Sequence, residues 1–242
     1  SITMLHLLWQ RIKALPLSVL HLAAPSVCFV CGRELTSAEK DICTSCLKHL
    51  PRTYYEREHD NICEQKFWGK VRLQSAFGIY HYRKKEQLQR IVHQFKYHGN
   101  SSICITMGEE MGRILLSQNI HKQYDALVPV PLHPKRQRMR GYNQAELLAQ
   151  GISNVTGMPV KNNILKRTIY TNTQTKKNKY ERYENIHEAF ALNCNPQQLI
   201  GLRLLLIDDV LTSGNTAEAC TSLIAQIPYT HVGVATLGNA TN

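Results

Sequence analysis

The chain has 242 residues, 43% of them hydrophobic, and a formal net charge of +11. That length fits one large domain, or a medium domain with a small appendage, and the apolar share excludes global disorder. The charge favours anionic partners such as nucleic acid, phosphorylated metabolites or acidic lipid. Eight cysteines fall into two CxxC pairs and four scattered residues. A secreted disulfide scaffold would be shorter and denser in cysteine.

The first stretch, "LHLLWQRIKALPLSVLHLAAPS", has a faint likeness to a signal peptide. Its cations follow an already apolar start, however. Leu5, Leu8, Trp9 and Ile12 also fall at the i, i+3, i+4, i+7 spacing of an amphipathic helix. An N-terminal helix within residues 1–25, packed or lying on a surface, is therefore expected. Residues 14–32 carry no formal charge, but Pro16, His21, Pro25 and a CxxC pair interrupt them. The unbroken apolar part is too short to span a membrane.

"CFVCGRELTSAEKDICTSC" then supplies Cys28, Cys31, Cys43 and Cys46, two pairs separated by eleven residues. Two residues between cysteines let a tight knuckle present both thiolates to one ion, and two knuckles complete a tetrahedral four-sulfur zinc site. Gly32 suits the turn such a knuckle makes. A thioredoxin-type redox pair would need a βαβ context, which is absent around either pair. Residues 26–66 are expected to form a small structural zinc module of zinc-ribbon kind.

From about residue 70 the pattern alternates strand and helix. Residues 75–82 suggest a strand. "KEQLQRIVHQFKYHG" follows with Leu88, Ile91, Val92 and Phe95 at helical spacing and Gly99 as the C-cap. A second helix is expected near "GEEMGRILLSQ". Residues 125–131 suggest a strand that ends where Pro129 and Pro131 remove ladder donors. The loop after it runs into "HPKRQRMRG", with cations at Lys135, Arg136, Arg138 and Arg140. Residues 143–157 suggest a helix with Ala145, Leu148, Ala149 and Ile152 on one face. A second basic cluster, "KRTIYTNTQTKKNKYER", spans residues 166–182. "LRLLLID" has the continuous apolar run of a central parallel strand. Residues 215–227 suggest a helix with Asn215 as N-cap and Glu218 in capping-box position. A strand over 231–238 closes the domain. Such alternation predicts an α/β domain over residues 70–242, a mostly parallel sheet covered by helices. Ligands of these sheets bind beyond the carboxyl ends of the strands, where the loops after Pro131 and Asp209 lie.

The segment "LLLIDDVLTSGNT" puts Asp208 and Asp209 at the end of a buried run. A metal pair, a nucleophile, a sugar clamp and a plain strand–helix turn with solvated acids are all open on spacing alone. Successive strand residues point to opposite faces, so one metal is hard for both carboxylates to share. Two vicinal hydroxyls suit them better, one for each carboxylate. "TSGNT" adds backbone N–H groups, three hydroxyls and a glycine ahead of a helix, the makings of an anion cradle. Sugar hydroxyls beside phosphate describe a ribose 5-phosphate. No GxxxxGK[ST] occurs, which excludes a Walker loop.

This segment resembles the phosphoribosyl-pyrophosphate (PRPP) signature of type I phosphoribosyltransferases. Over residues 20–240 the chain is similar to the ComF family of ComFC-like competence proteins. The likeness rests on "CFVCG…ICTSC", "FKYHGN", "VPVPLHPKRQRMRGYNQAELLA", "NIHEAF" and the aspartate segment. It implies a parallel sheet of the type I phosphoribosyltransferase kind. Asp208 and Asp209 would hold the ribose hydroxyls, and Thr212, Ser213, Gly214, Asn215 and Thr216 would wrap the 5-phosphate. Lys96, Arg140 and Arg182 would approach the pyrophosphate, with Mg2+ bridging ligand oxygens. Residues 167–184 would close over the ligand, with Tyr170, Tyr180 and Tyr183 as stacking candidates.

The function so implied is PRPP binding in DNA uptake and natural transformation, in the cytoplasm or at the inner face of the membrane. Single-stranded DNA and a DNA-uptake helicase or channel are the partners it implies. Two alternatives stay open. One is a metabolic phosphoribosyltransferase with an unidentified base or amine acceptor. The other is a nucleic-acid adaptor whose PRPP fold is vestigial.

Overall fold

The computed structural model describes residues 26–97, 99–169 and 186–240. The expected N-terminal helix, Arg182, Tyr170, Tyr180, Tyr183 and most of the expected closing segment lie outside the described residues. The chain divides into two compact units between His49 and Leu50. Residues 50–66, expected with the cysteine module, thus belong to the larger unit.

In the first unit the chain reverses between Val27 and Glu34, which form an antiparallel bridge. Gly32 takes φ +75°, a left-handed turn conformation that glycine adopts without strain. Its N–H donates to the Cys28 carbonyl at 2.8 Å. A short helix α1 (Thr44–Lys48) follows, with Cys43 at its N-cap.

Early in the second unit, after a 3-10 turn (Tyr55–Arg57), comes a one-turn helix α2 (Ile62–Gln65) capped by Asn61. It is built on four parallel strands: β1 (Ala76–Tyr82), β2 (Ala126–Pro129), β5 (Arg203–Leu211) and β6 (His231–Ala240). Their order across the sheet is β1-β6-β5-β2. The most apolar strand, β5, is therefore interior, as its continuous run predicts. Both sheet edges are covered. Thr53 and His81 exchange bonds with Ile79 and Pro51 along β1, and Leu127 of β2 bonds Pro159 and Lys161. Blocked edges do not offer a template for strand addition.

Helices α3 (Gln87–Tyr97), α4 (Ser101–Ser117), α5 (Pro134–Arg140), α6 (Gln144–Thr156) and α7 (Asn215–Ala225) surround the sheet. Alternation along β5 sends Leu204 and Leu206 into a cluster with Ala219, Cys220 and Ile224 of α7. Leu205 and Ile207 are fully buried on the opposite face. Helices α4 and α6 pack backbone to backbone. A Cβ on Gly108 would fall 2.3 Å from the Leu148 carbonyl oxygen, and one on Gly151 would fall 2.3 Å from that of Ile105.

Several expectations change. α4 starts at Ser101, well before the expected segment, because Asn100 caps it by accepting from the Ile103 N–H. The basic stretch after β2 is a helix, α5, instead of a loop. Pro134 opens it, the His133 ring accepts from the Lys135 N–H, and Gly141 at φ +89° ends it. The N-cap of α7 is Gly214, left-handed at φ +86°, and Asn215 is the first helical residue. The Glu218 side chain therefore makes no capping box. It binds Lys70 at 3.0 Å and His187 at 3.2 Å instead. A two-stranded antiparallel ribbon, β3 (Leu165–Arg167) and β4 (Phe190–Leu192), was not expected.

Candidate functional site

A cleft of about 260 Å³ opens past the carboxyl ends of the strands. β5 contributes Asp208, Asp209 and Val210, and the loop after it contributes Thr212, with Thr216 from the first turn of α7. Val130, Pro131 and Leu132 come from the end of β2, Tyr82 from the end of β1 and Lys96 from α3. Arg136 of α5, Gln144 of α6 and Arg167 of β3 complete the wall.

β5 runs on to Leu211, so both aspartates are strand residues and not turn residues. Their side chains leave opposite faces of the sheet. Asp209 points to the side of α3 and α4. There its Oδ2 lies 2.6 Å from Lys96 Nζ, and its field reaches Cys104. Asp208 points to the side of α7 and β3, where its field reaches Cys220 and Arg167. Burial raises the Asp208 carboxyl well above its ordinary range, and the adjacent Asp209 charge raises it further. The N–H of Asp209 and the two cations only partly offset this. Burial pulls the Lys96 ammonium down, but contact with Asp209 outweighs it and holds Lys96 charged.

The cations are placed by local rules. Tyr142 donates its hydroxyl to the Phe95 carbonyl at 2.5 Å, which fixes the last turn of α3 beside Lys96. Asn143 caps α6 through Ala145 N–H at 3.1 Å and donates to the Val130 carbonyl at 3.0 Å. It thereby ties the "YNQ" segment to the loop that lines the cleft. The Arg167 guanidinium lies 5.1 Å above the Phe190 ring. Burial and the nearby positive charge of Arg136 both lower its pKa. The Asp208 charge offsets this in part, so Arg167 sits between a carboxylate and a second guanidinium beside the cleft.

Not every expected residue lies on the wall. Lys96, Asp208, Asp209, Thr212 and Thr216 do. Ser213 and Gly214, in the bend between β5 and α7, and Asn215, the first residue of α7, are not among the lining residues. The Arg140 side chain turns to the Gln144 amide. Arg136, one helical turn earlier, lines the cleft in its place. Arg167 and Arg136 belong to the two basic clusters. The β3 burial pattern, with Leu165 buried and Lys166 exposed, is the signal that marks Arg167 as facing the same way as Leu165.

In the smaller unit, the sulfurs of Cys28, Cys31, Cys43 and Cys46 all lie within 4.8 Å of one another. Cys28 Sγ accepts from Cys43 N–H at 3.3 Å, and Cys43 Sγ accepts from Cys46 N–H at 3.4 Å. Burial works against ionising Cys43, but the Cys46 N–H and the Arg33 guanidinium outweigh it and bring that thiol down to about 6. Four converging sulfurs with N–H support can hold one metal ion, with no ligand position left open.

The sequence matches no family model. It is 31% identical over 225 residues to competence protein F of Haemophilus influenzae, covering 91% of this chain and 93% of that protein. Identity to DNA utilization protein YhgH of Salmonella typhimurium is 27% over 221 residues, covering 84% and 92%. Identity to competence protein ComFC of Bacillus subtilis is 24% over 191 residues, covering 78% and 74%. Among solved structures, the glutamine PRPP amidotransferase from B. subtilis aligns at a TM-score of 0.38 with 15% identity, over 60% of this chain and 30% of that one. A purine phosphoribosyltransferase from Pyrococcus horikoshii aligns at 0.34 with 14% identity, over 55% and 74%.

Proposed function

Because the chain belongs to the competence protein F family, we propose that it acts in DNA uptake and that its cleft binds PRPP. The observation that carries the ligand assignment is the pair Asp208 and Asp209, set on opposite faces at the end of β5 and lining one cleft with Lys96, Arg136 and Arg167. In this reading each carboxylate accepts from one ribose hydroxyl. Residues 212–216 take the 5-phosphate at the start of α7, where the helix dipole and N–H groups favour an anion. Lys96, Arg136 and Arg167 meet the diphosphate, joined by Arg140 if its bond to Gln144 opens. Mg2+ accompanies the diphosphate, in keeping with its preference for phosphate oxygens and water. The four cysteines hold a structural Zn2+, and the net positive charge favours incoming single-stranded DNA.

The biological half is tested by deleting the gene and scoring transformation frequency, with wild-type and Asp209→Asn alleles returned separately. Loss of transformation that only the wild-type allele restores supports the reading. Normal transformation with a new purine or pyrimidine requirement would favour the metabolic phosphoribosyltransferase instead.

A further inference from the structure

Lys66 lies far from every signature segment in the sequence, yet its ammonium reaches the base of the candidate phosphate loop. Nζ donates to the Thr212 carbonyl at 2.7 Å and the Asn239 side-chain oxygen at 2.7 Å. The carbonyls of Leu211 and Ala240 lie at 3.4 and 3.5 Å. All four partners are neutral oxygens at the ends of β5 and β6. Lys66 is half-buried there with no carboxylate partner among the described residues, and burial pulls its ammonium down from the ordinary value.

The side chain is held firmly. Asn61 caps α2 by accepting from Cys63 N–H at 2.8 Å and donates to the Glu58 carbonyl at 2.9 Å. Cys63 and Phe67, on either side of Lys66, are buried. A Cβ on Gly214 would lie 3.4 Å from Lys66 Cβ and 3.7 Å from the Phe67 ring, so this turn packs directly under the loop. One turn on, Lys70 binds Glu218 in the first turn of α7 at 3.0 Å.

Peptide planarity gives this contact a consequence. In a trans peptide the carbonyl and the following N–H point in opposite directions, and no cis bond occurs among the described residues. Drawing the carbonyls of Leu211 and Thr212 onto Lys66 therefore turns the N–H groups of Thr212 and Ser213 away from the lysine. We infer that Lys66 is a positioning residue for the ligand: it sets the N–H groups of Thr212 and Ser213 to receive a phosphate and places its ammonium behind them. This role rests on the ribose 5-phosphate reading of the cleft.

The test is calorimetric titration of the full chain with ribose 5-phosphate, in wild-type, Lys66→Met, Lys66→Gln and Lys66→Arg forms, beside thermal melts. The Met and Gln forms are expected to bind roughly tenfold more weakly or worse, and the Arg form to regain most of the affinity. The amide resonances of Thr212 and Ser213 should shift on ligand addition in wild type and much less in Lys66→Met. Wild-type affinity in a folded Lys66→Met or Lys66→Gln protein overturns the inference alone. Failure of both uncharged forms to fold also overturns it, leaving Lys66 a structural residue. Absence of binding in wild type removes the ribose 5-phosphate reading itself, and the role of Lys66 with it.

Discussion

Asp208 and Asp209 are adjacent in sequence and opposed in space. Asp209 faces Lys96 at 2.6 Å on the α3 side of the sheet, and Asp208 faces the field of Arg167 on the α7 side. Sheet alternation alone separates the two carboxylates. Without it they would be a candidate metal pair. With it they are two single acceptors that reach one cleft from different directions.

The raised Asp208 carboxyl makes a stability prediction. Its folded pKa lies above its unfolded value, so its contribution is fully present below the ordinary carboxylate range. It is lost as pH rises through the folded value. Asp208→Asn removes that loss. Without ligand, the variant should melt about 2–4 °C higher than wild type at about pH 8, equivalent to about 1 kcal/mol. The gain should vanish near about pH 4. Melts at the two pH values check this, and an equal gain at both would exclude the charge as its cause.

The arginine pair should be separable from Arg140. Arg136→Ala and Arg167→Ala should each weaken PRPP binding by roughly tenfold, since a charge-assisted bond is worth about 1.5–3 kcal/mol. Affinity for ribose 5-phosphate, which lacks the diphosphate, should change much less. Arg140→Ala should have the smaller effect on PRPP, because its guanidinium is already engaged by Gln144. Paired titrations with the two ligands measure this.

The cysteine unit should depend on metal. Purified protein should carry about one equivalent of zinc for its four clustered sulfurs. Structural zinc contributes on the order of 10–16 kcal/mol of apparent binding energy in small modules. Chelation should therefore unfold residues 26–49 while the larger unit keeps its melt. Metal analysis with proteolysis before and after chelation reads both outcomes.

The α4–α6 contact should tolerate no side chain. Gly151→Ala would bring Cβ to 2.3 Å from a backbone oxygen. The helices would have to separate, at a cost of roughly 1–3 kcal/mol. A lowered melting temperature, with PRPP affinity retained in the folded fraction, is the expected result.

Much of this was legible in the sequence for physical reasons. The interior strand β5 was marked by its unbroken apolar run, and α3 by Leu88, Ile91, Val92 and Phe95, all fully buried. The four cysteines announced their own convergence. Helix α5 was hidden because Pro134 and a dense run of cations look like a loop. Its opening proline and closing Gly141 are helix-end signals that the charge pattern obscured. Arg140 and Arg136 are alike in the sequence as members of one basic run, and which of them faces the cleft depends on helical phase. Lys66 was invisible, since the oxygens it holds lie 145 or more positions away in the chain.

The most direct measurement is titration of PRPP and Mg2+ into wild-type protein and into Asp209→Asn. Wild type should bind with a single site. The variant should bind at least tenfold more weakly, a loss of about 1.5–3 kcal/mol for one charge-assisted hydrogen bond. Equal affinity in the two proteins, with both folded, would contradict the ribose clamp.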